Sequence, residues 1–234
     1  MATVSIIIPT LNEEQRLPRC LESLGKQSFE DYEIIVVDSG SSDKTVEIAK
    51  KRGARVLYEP RLGVSVAKNF GASEAGGDIL VFTDADSTYP EGWLKRMVSH
   101  FKDRKVIAAF GPIKPMERKL IHVFLFDLTT NVIPGIAALF GFFMAHGPNQ
   151  SFRRTAFEKV GGFDERLRIL EDNELPNRIK REGKIVFDPW LFVYASTRRF
   201  EKEGYFAATV RFLRAYWRIY FQKKSFEEEY PAYR

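Results

Sequence analysis

A single cysteine, Cys20, stands among 234 residues, so no disulfide framework is available. None is needed, because a domain of this length buries roughly 70–75% of its unfolded surface. A lone thiol agrees with a reducing compartment, and its place among leucines at helical spacing gives it a packing role. Histidine is almost as scarce. His100, His122 and His146 have no metal-ligand spacing among themselves; His146, beside Gly147, is the one that could face a second substrate. No Gly-x-Gly-x-x-Gly or Walker loop follows any strand-like run, so the dinucleotide and P-loop readings lack their phosphate-binding device. No basic, apolar leader precedes the first strand-like run, so no signal peptide is expected. Nor is there a clean run of about 20 apolar residues such as a spanning helix needs. The most apolar stretch, residues 120–145, is interrupted by Asp127, Asn131, Pro134 and Gly135. These absences together set the expectation of a cytoplasmic globular protein.

Charge is unevenly spread. The whole chain carries +5. Between residues 198 and 224 stand eight basic side chains (Arg198, Arg199, Lys202, Arg211, Arg214, Arg218, Lys223, Lys224) against Glu201 and Glu203, a local +6. Everything else is close to neutral. Basicity confined to one segment points to a local anionic partner, such as a membrane surface, and argues against nucleic acid. Within residues 206–221 the spacing puts Arg211, Arg214 and Arg218 on one helix face. Phe206, Val210, Leu213, Trp217 and Phe221 share another. Such a helix either lies in a membrane interface or packs on the domain's own core with its arginines in water. Residues 120–145 leave a similar choice between lipid or acceptor contact and ordinary core.

The first half alternates apolar runs with amphipathic ones. Strands are predicted at residues 4–9 (VSIIIP), 33–38 (EIIVVD), 55–58 and 78–83 (DILVFT), with helices around Leu17, Leu21 and Leu24, at 45–52 and at 66–75. Continuous apolar runs suit strands covered on both faces. This βαβαβαβ order implies an α/β fold with a mostly parallel central sheet flanked by helices. Ligands of such sheets sit outside the carboxyl ends of the strands, here residues 10–14, 38–41 and 84–86. The second half is less regular: helices at 93–101, 171–182 and 205–221, strands at 106–110 and within 184–193, and an apolar stretch broken at Pro134-Gly135.

Asp84 and Asp86, one residue apart beyond a buried strand, form a DXD pair that can converge on a hard cation, Mg²⁺ or Mn²⁺. Such a cation can hold a diphosphate and neutralise the charge growing on a leaving nucleotide. The plain alternative is a helix cap and turn; the preceding four-strand pattern favours the metal. Asp38 ends the second strand, where its carboxylate either accepts an N–H from a base edge or caps the next turn. Pro9, Thr10, Asn12 and Glu13 close the first strand on the same edge. Glu171 and Asp172 open a helix, and Pro176 confines that opening to a first turn. A carboxylate at a helix N-terminus is expected to stay ionised, as a general base must.

Four segments in order, VSIIIPTLNE (4–13), IVVDSGSSD (35–43), AKNFG (67–71) and FTDAD (82–86), resemble glycosyltransferase family 2, whose members have the GT-A fold and invert the anomeric centre. GPNQSFRR (147–154), GGFD (161–164) and Glu171-Asp172 extend the resemblance over roughly residues 3–190. The resemblance implies a nucleotide-diphospho-sugar transferase, and it assigns roles by position. Pro9, Thr10, Asn12, Glu13 and Asp38 would hold base and ribose. Lys68 and Asn69 would lie near diphosphate and sugar. Asp84, Ala85 and Asp86 would contact ribose, sugar and metal, and Asp172 would be the catalytic base. Asn149, Glu171, Arg198 and Arg199 fall on the acceptor side. Two departures matter. Lys68 replaces a frequent arginine with a point charge, and the Gln-x-x-Arg-Trp motif of processive members is absent, which argues against polymer synthesis. A histidine frequent after the strand near residue 190 is also missing. The expected organisation is a catalytic domain at residues 1–197 and a basic, aromatic, helical extension at 198–234, packed on the domain or bound to the inner face of the cell membrane. The expected reaction moves a sugar from a UDP- or GDP-linked donor to a hydroxyl on a sugar or lipid-linked acceptor. Transfer to a polyprenyl phosphate, positioned by Arg153, Arg154, Arg198 and Arg199, is the alternative. A nucleotidyltransferase or a sugar-nucleotide-binding module stands further off.

Overall fold

Isoleucine and valine crowd the first two strands because both are buried in the middle of a sheet. A computed structural model describes residues 3–116, 127–167, 169–198 and the separate positions 204, 210, 211, 214 and 217. In chain order its elements begin β1 (Val4–Thr10), α1 (Leu17–Leu24), β2 (Tyr32–Asp38), α2 (Thr45–Lys51), β3 (Arg55–Tyr58), α3 (Val64–Glu74) and β4 (Ile79–Phe82). There follow β5 (Ser87–Thr88), α4 (Trp93–His100), β6 (Val106–Phe110) and β7 (Ile113–Pro115). A π-helical turn (Leu128–Val132) runs straight into α5 (Ile133–Leu139). The rest is β8 (Gln150–Arg153), α6 (Arg154–Lys159), α7 (Glu171–Ile179), β9 (Lys184–Phe187) and β10 (Val193–Ala195).

The larger sheet has the order β3-β2-β1-β4-β8-β6-β9. All its neighbours are parallel except β8, which runs against both β4 and β6. The fold is α/β with a mostly parallel sheet flanked by helices, as the alternation implies. Winding reverses between β1 and β4, which makes their carboxyl ends the crevice where ligands of open sheets bind. Pro9 is tolerated in the central strand β1 because β4 pairs with it only from Val4 to Ile7, leaving Pro9 beside β2 alone.

Helices cover both faces. One core joins Leu17, Leu21 and Leu24 of α1 to Trp93, Leu94 and Met97 of α4. The other joins Ala67 of α3, Phe157 of α6 and Leu175 and Ile179 of α7 to Phe82 and Phe152 of the sheet. Gly71 lets α3 lie flat: a Cβ there would come within 2.6 Å of Ile7 and 2.8 Å of Val37. This close approach carries Lys68, one turn earlier, to the crevice edge.

A second sheet, β5-β10-β7, caps that edge. Its antiparallel pair sets Ala195 opposite Ser87, so the chain after β10 meets the chain before β5.

Two expectations are overturned. Pro134-Gly135 does not break the apolar stretch: Pro134 falls where the π-helical turn passes into α5, and α5 continues through Gly135 to Leu139. Pro176 lies inside α7, not in its first turn; the helix forgoes the bond that residue 176 would otherwise donate to the carbonyl of Asp172. The helix expected over 205–221 lies outside the described residues except at 210, 211, 214 and 217. Among the described residues no helix is long and apolar enough to cross a membrane.

Candidate active site

The carboxyl ends of β1 and β2 are stitched into one rim. The Asn12 N–H donates to Ser41 Oγ at 2.8 Å, and Asn12 Oδ1 accepts from the Ser42 N–H at 2.8 Å. The Glu13 N–H donates to Thr45 Oγ1 at 2.8 Å. Asn12 takes a positive φ of 56° to make this exchange, a conformation asparagine tolerates better than most residues. Asp38, only 2% exposed, accepts from the Gly40 and Ser41 N–H groups at 3.0 and 2.9 Å, from Ser41 Oγ at 2.5 Å and from Thr10 Oγ1 at 3.4 Å. A carboxylate has about four acceptor sites, and these partners occupy them. The turn-cap alternative therefore describes Asp38 as it stands, and a base N–H would have to displace one of its partners.

Asp84 and Asp86 part company. Between them the Ala85 side chain turns into the core, so only its backbone can face a donor. The Asp84 carbonyl accepts from Cys20 Sγ at 3.6 Å and from the Tyr89 hydroxyl at 3.4 Å, which fixes the turn. Burial pushes the Cys20 thiol far above its ordinary value, so it is an inert donor here. Asp86 Oδ2 lies 3.4 Å from Arg198 Nε, while Arg198 Nη2 donates to Glu13 Oε1 at 2.7 Å. The β5–β10 pairing makes this meeting possible. Arg198 thus belongs with Glu13 and Asp86, not on the acceptor side where the resemblance set it. Arg199 lies outside the described residues.

The densest charge gathers around Gly147. Lys68 is 1% exposed, and its ammonium donates to Glu171 Oε1 at 3.0 Å. Burial by itself opposes that charge, but Glu171, then Asp84 and Asp172, outweigh it and raise the lysine's pKa. Asp172 Oδ2 accepts from the Gly147 N–H at 2.9 Å, and its Oδ1 from Asn173 Nδ2 at 2.6 Å. A Cβ built on Gly147 would stand 3.5 Å from Asp84 Oδ2, 3.6 Å from Lys68 Nζ and 3.7 Å from Asp172 Oδ2. Two carboxylates and an ammonium therefore border one gap about the size of a methyl group.

The helix-terminus argument misjudged Asp172. Burial first, then the neighbouring Glu171 and Asp84, push its carboxyl up to about 7, against the opposing pull of Lys68 and Asn173. Burial beside like charge outweighs the partial charge of a helix end.

Further expectations are corrected. Asn69 clamps a loop: its amide donates to the Phe163 carbonyl at 2.9 Å and accepts from the Phe163 N–H at 2.9 Å, leaving no free face for diphosphate or sugar. Asn149 is fully buried. It accepts from Trp93 Nε1 at 2.9 Å and donates to the Pro112 and Leu191 carbonyls, so it pins the core and does not face an acceptor. Arg153 and Arg154 bond backbone carbonyls at the opposite edge of the sheet, among them Val106 and Gly77. The antiparallel run of β8 pairs Arg153 with Ile79, at the amino end of β4. His146 hydrogen-bonds the Thr130 carbonyl through Nε2.

Two residues escaped the sequence reading as individual actors. Gly147 was legible only as part of a motif, because its role depends on what a side chain there would touch. Gln150 is fully buried, and neither end of its amide has a hydrogen-bond partner. It shares the strand face of Phe152, two residues nearer the crevice, and no local pattern announces an orphaned amide.

Among the described residues no group of three or more His, Cys, Asp or Glu could hold a metal by itself. Two nearby aspartates fit instead the way Mg²⁺ is usually held, by one or two carboxylates together with substrate phosphates.

A family model described as Glycosyl transferase family 2 matches residues 5–161. Among curated proteins, 4,4'-diaponeurosporenoate glycosyltransferase of Staphylococcus haemolyticus is 46% identical over 91 residues, covering 36% of this chain and 24% of that protein. The PGL/p-HBAD biosynthesis glycosyltransferase of Mycobacterium bovis is 34% identical over 180 residues, 72% of this chain and 66% of that one. The chain thus spans about a quarter to two thirds of the length of these relatives. In fold it resembles the mannosyltransferase PcManGT from Pyrobaculum calidifontis in complex with GDP-Man and Mn²⁺, with a TM-score of 0.65 at 22% identity, covering 90% of this chain and 64% of that one. It also resembles S. aureus TarS in complex with UDP-GlcNAc, with a TM-score of 0.65 at 21% identity, covering 83% of this chain and 58% of that one.

Proposed function

The chain belongs to glycosyltransferase family 2, and from that premise we propose that it transfers a sugar from a UDP- or GDP-linked donor to a hydroxyl acceptor, inverting the anomeric centre in a single displacement. The observation that carries the proposal is the gap beside Gly147, with Asp172 Oδ2 on one side and Asp84 Oδ2 and Lys68 Nζ on the others. Asp172 is the base. Its raised pKa makes it a stronger proton acceptor than an ordinary carboxylate, near the value that serves general-base catalysis at neutral pH. Gly147 N–H fixes the direction of one oxygen, leaving the other lone pairs for the acceptor's proton. Lys68 stays charged beside Glu171 and offsets the negative charge that a diphosphate brings.

Asp84 and Asp86 are the residues that would hold Mg²⁺ or Mn²⁺. When bound, the cation supplies charge stabilisation for the departing nucleoside diphosphate. For that to happen Asp86 must exchange Arg198 for the cation, which frees the guanidinium for phosphate oxygens, its preferred bidentate partners. The rim of residues 10–13, beside the turn that Asp38 holds, takes the nucleoside. The hydroxyl acceptor is preferred over a polyprenyl phosphate because Arg153 and Arg154, two of the four cations that would position a phosphate, are committed to carbonyls at the far edge. Residues 1–197 form the catalytic domain in this reading, working in the cytoplasm, with residues 198–234 as a basic extension toward the inner face of the membrane.

Calorimetric titration of UDP and GDP in Mn²⁺ or in EDTA tests the donor side. One of the two should bind, and only with metal. Replacing Asp84 by Asn should abolish the metal requirement together with tight binding. Equal affinity with and without metal would refute the assigned role of the two aspartates.

A further inference from the structure

The helix that runs from Leu128 to Leu139 is turned inside out. Its large apolar side chains face solvent: Leu128, Val132, Ile133, Ile136, Leu139 and Phe140, the last two at 84% and 85% exposure. At 100° per residue Ile133, Ile136 and Leu139 fall within one arc of α5. The inner face is small or polar. Pro134 is buried, Gly135 lies against the Phe187 ring, and Asn131 grips the backbone of β7, donating to the Ile113 carbonyl at 2.8 Å and accepting from its N–H at 3.0 Å. Among the described residues this helix is held by an asparagine and a glycine on its inner face and presents leucine, isoleucine and phenylalanine to water, the pattern of a face that docks on an apolar partner.

Size and charge identify that partner. The stripe is about 18 Å long and about 10 Å wide, on the order of 200 Å², far below the roughly 800 Å² per partner of a standard protein interface. A bilayer needs no such area, since each side chain partitions on its own account. Among the described residues the helix is also not long enough to cross a membrane. A lysine stands near each end, at the amino end together with the exposed Asp127. The exposed Lys114 follows Ile113, which Asn131 holds, and Lys180 donates to the Gly141 carbonyl at 2.8 Å just past α5. No acidic side chain lies between residues 128 and 143, and the excess of positive charge in the chain falls in residues 198–224. Such flanking cations favour anionic lipid headgroups.

The stripe also adjoins the reacting groups. Thr130, on the inner side, meets His146 Nε2 through its carbonyl, and the residue after that histidine, Gly147, donates its N–H to Asp172. We propose that the outer face of residues 128–140 docks in the plane of an anionic bilayer and so brings a lipid-borne hydroxyl acceptor to Asp172. This inference rests on the transferase reading for its acceptor, but the docking itself can be tested alone.

The test uses the full chain with vesicles of phosphatidylcholine, alone or with about 30% phosphatidylglycerol. The wild-type protein should float with the anionic vesicles. The double variant Leu139→Glu, Phe140→Glu, altering two side chains that are almost wholly exposed, should keep its melting temperature and bind at least about tenfold more weakly. A Phe140→Trp variant should shift its emission to shorter wavelength with the same vesicles. Unchanged flotation of the double variant would overturn the proposal. So would a wild-type dimer that the double variant dissolves without any vesicle binding, because the face would then belong to a second copy. Nucleotide calorimetry on the same proteins separates the two readings. Loss of vesicle binding with nucleotide binding retained supports docking on a working donor site. If neither protein binds nucleotide but only the wild type floats, docking stands and the transferase reading fails.

Discussion

The two halves of the crevice are built on opposite principles. In the rim formed by residues 10–14 and 38–45, Asn12, Asp38 and Thr45 exchange hydrogen bonds with each other's loops until little of their own capacity remains, and Glu13 Oε2 is the one buried side-chain oxygen there without a hydrogen-bond partner. On the Gly147 side, Glu171, Asp172 and Asp84 gather around the buried Lys68 ammonium, and the Gln150 amide nearby lacks any partner. A satisfied loop holds a shape, whereas an unbalanced cluster stores affinity for whatever charge completes it. The rim is therefore expected to respond to substitution through stability, and the cluster through catalysis and pH.

Asp172→Asn sharpens this contrast most. It keeps the side-chain shape and removes the basicity, so single-turnover transfer should fall by about 10²–10⁴-fold, while calorimetric donor binding stays near wild type. Near-normal turnover would remove Asp172 as the base. The same variant should alter stability against pH. The folded protein holds a proton on Asp172 up to about 7, whereas the unfolded chain releases it near the ordinary value of 3.8. Wild-type stability therefore falls as pH rises through that window, and melting temperatures of the variant should lack that fall.

Lys68→Met comes next. Removing the ammonium leaves Glu171 buried with no partner for its Oε1, and breaking a buried pair from one side typically costs about 3–5 kcal/mol. Urea denaturation at neutral pH should show the loss, and it should shrink in acid as the stranded carboxyls take up protons. Asp38→Ala attacks the other half. It strips acceptors from Gly40, Ser41 and Thr10 and should cost about 1–3 kcal/mol, with nucleotide affinity falling only as far as the loosened turn explains. A large loss of affinity at unchanged stability would show instead that Asp38 meets the base directly. Gly147→Ala has the smallest expected effect on folding, within about 0.5 kcal/mol, because its new methyl makes only ordinary contacts at 3.5–3.7 Å. Transfer should still drop, since the methyl fills the gap between Asp84 and Asp172. Full activity in this variant would mean the gap is not the reaction site.

The first half of the fold was legible because each strand and helix carries its own periodicity, and the polar ends of β1, β2 and β4 announce a crevice edge. Asp172, Lys68, Asp84 and Asp86 were legible as chemistry in the right order. Less was visible where a residue's partner decides its role. Asn69 and Asn149 look like ligands in a motif, yet both spend their amides on distant backbone. Arg153 and Arg154 stand within eight residues of Gly147 in sequence and at the other end of the sheet in space, because β8 runs antiparallel to β4. The exposed stripe on residues 128–140 escaped for a similar reason. An apolar run states that something covers it, but not whether the cover is the chain's own core.

Local pattern by itself determined the βαβ order, the mostly parallel sheet and the edge at which a ligand site forms, since hydrophobic period and strand-end polarity act over a few residues. Only the tertiary structure decided which charge meets which. Lys68 finds Glu171 across 103 residues and Arg198 finds Glu13 across 185. Charge pairing and burial depend on distance through space, and at such separations along the chain that distance is set by how strands order and helices pack.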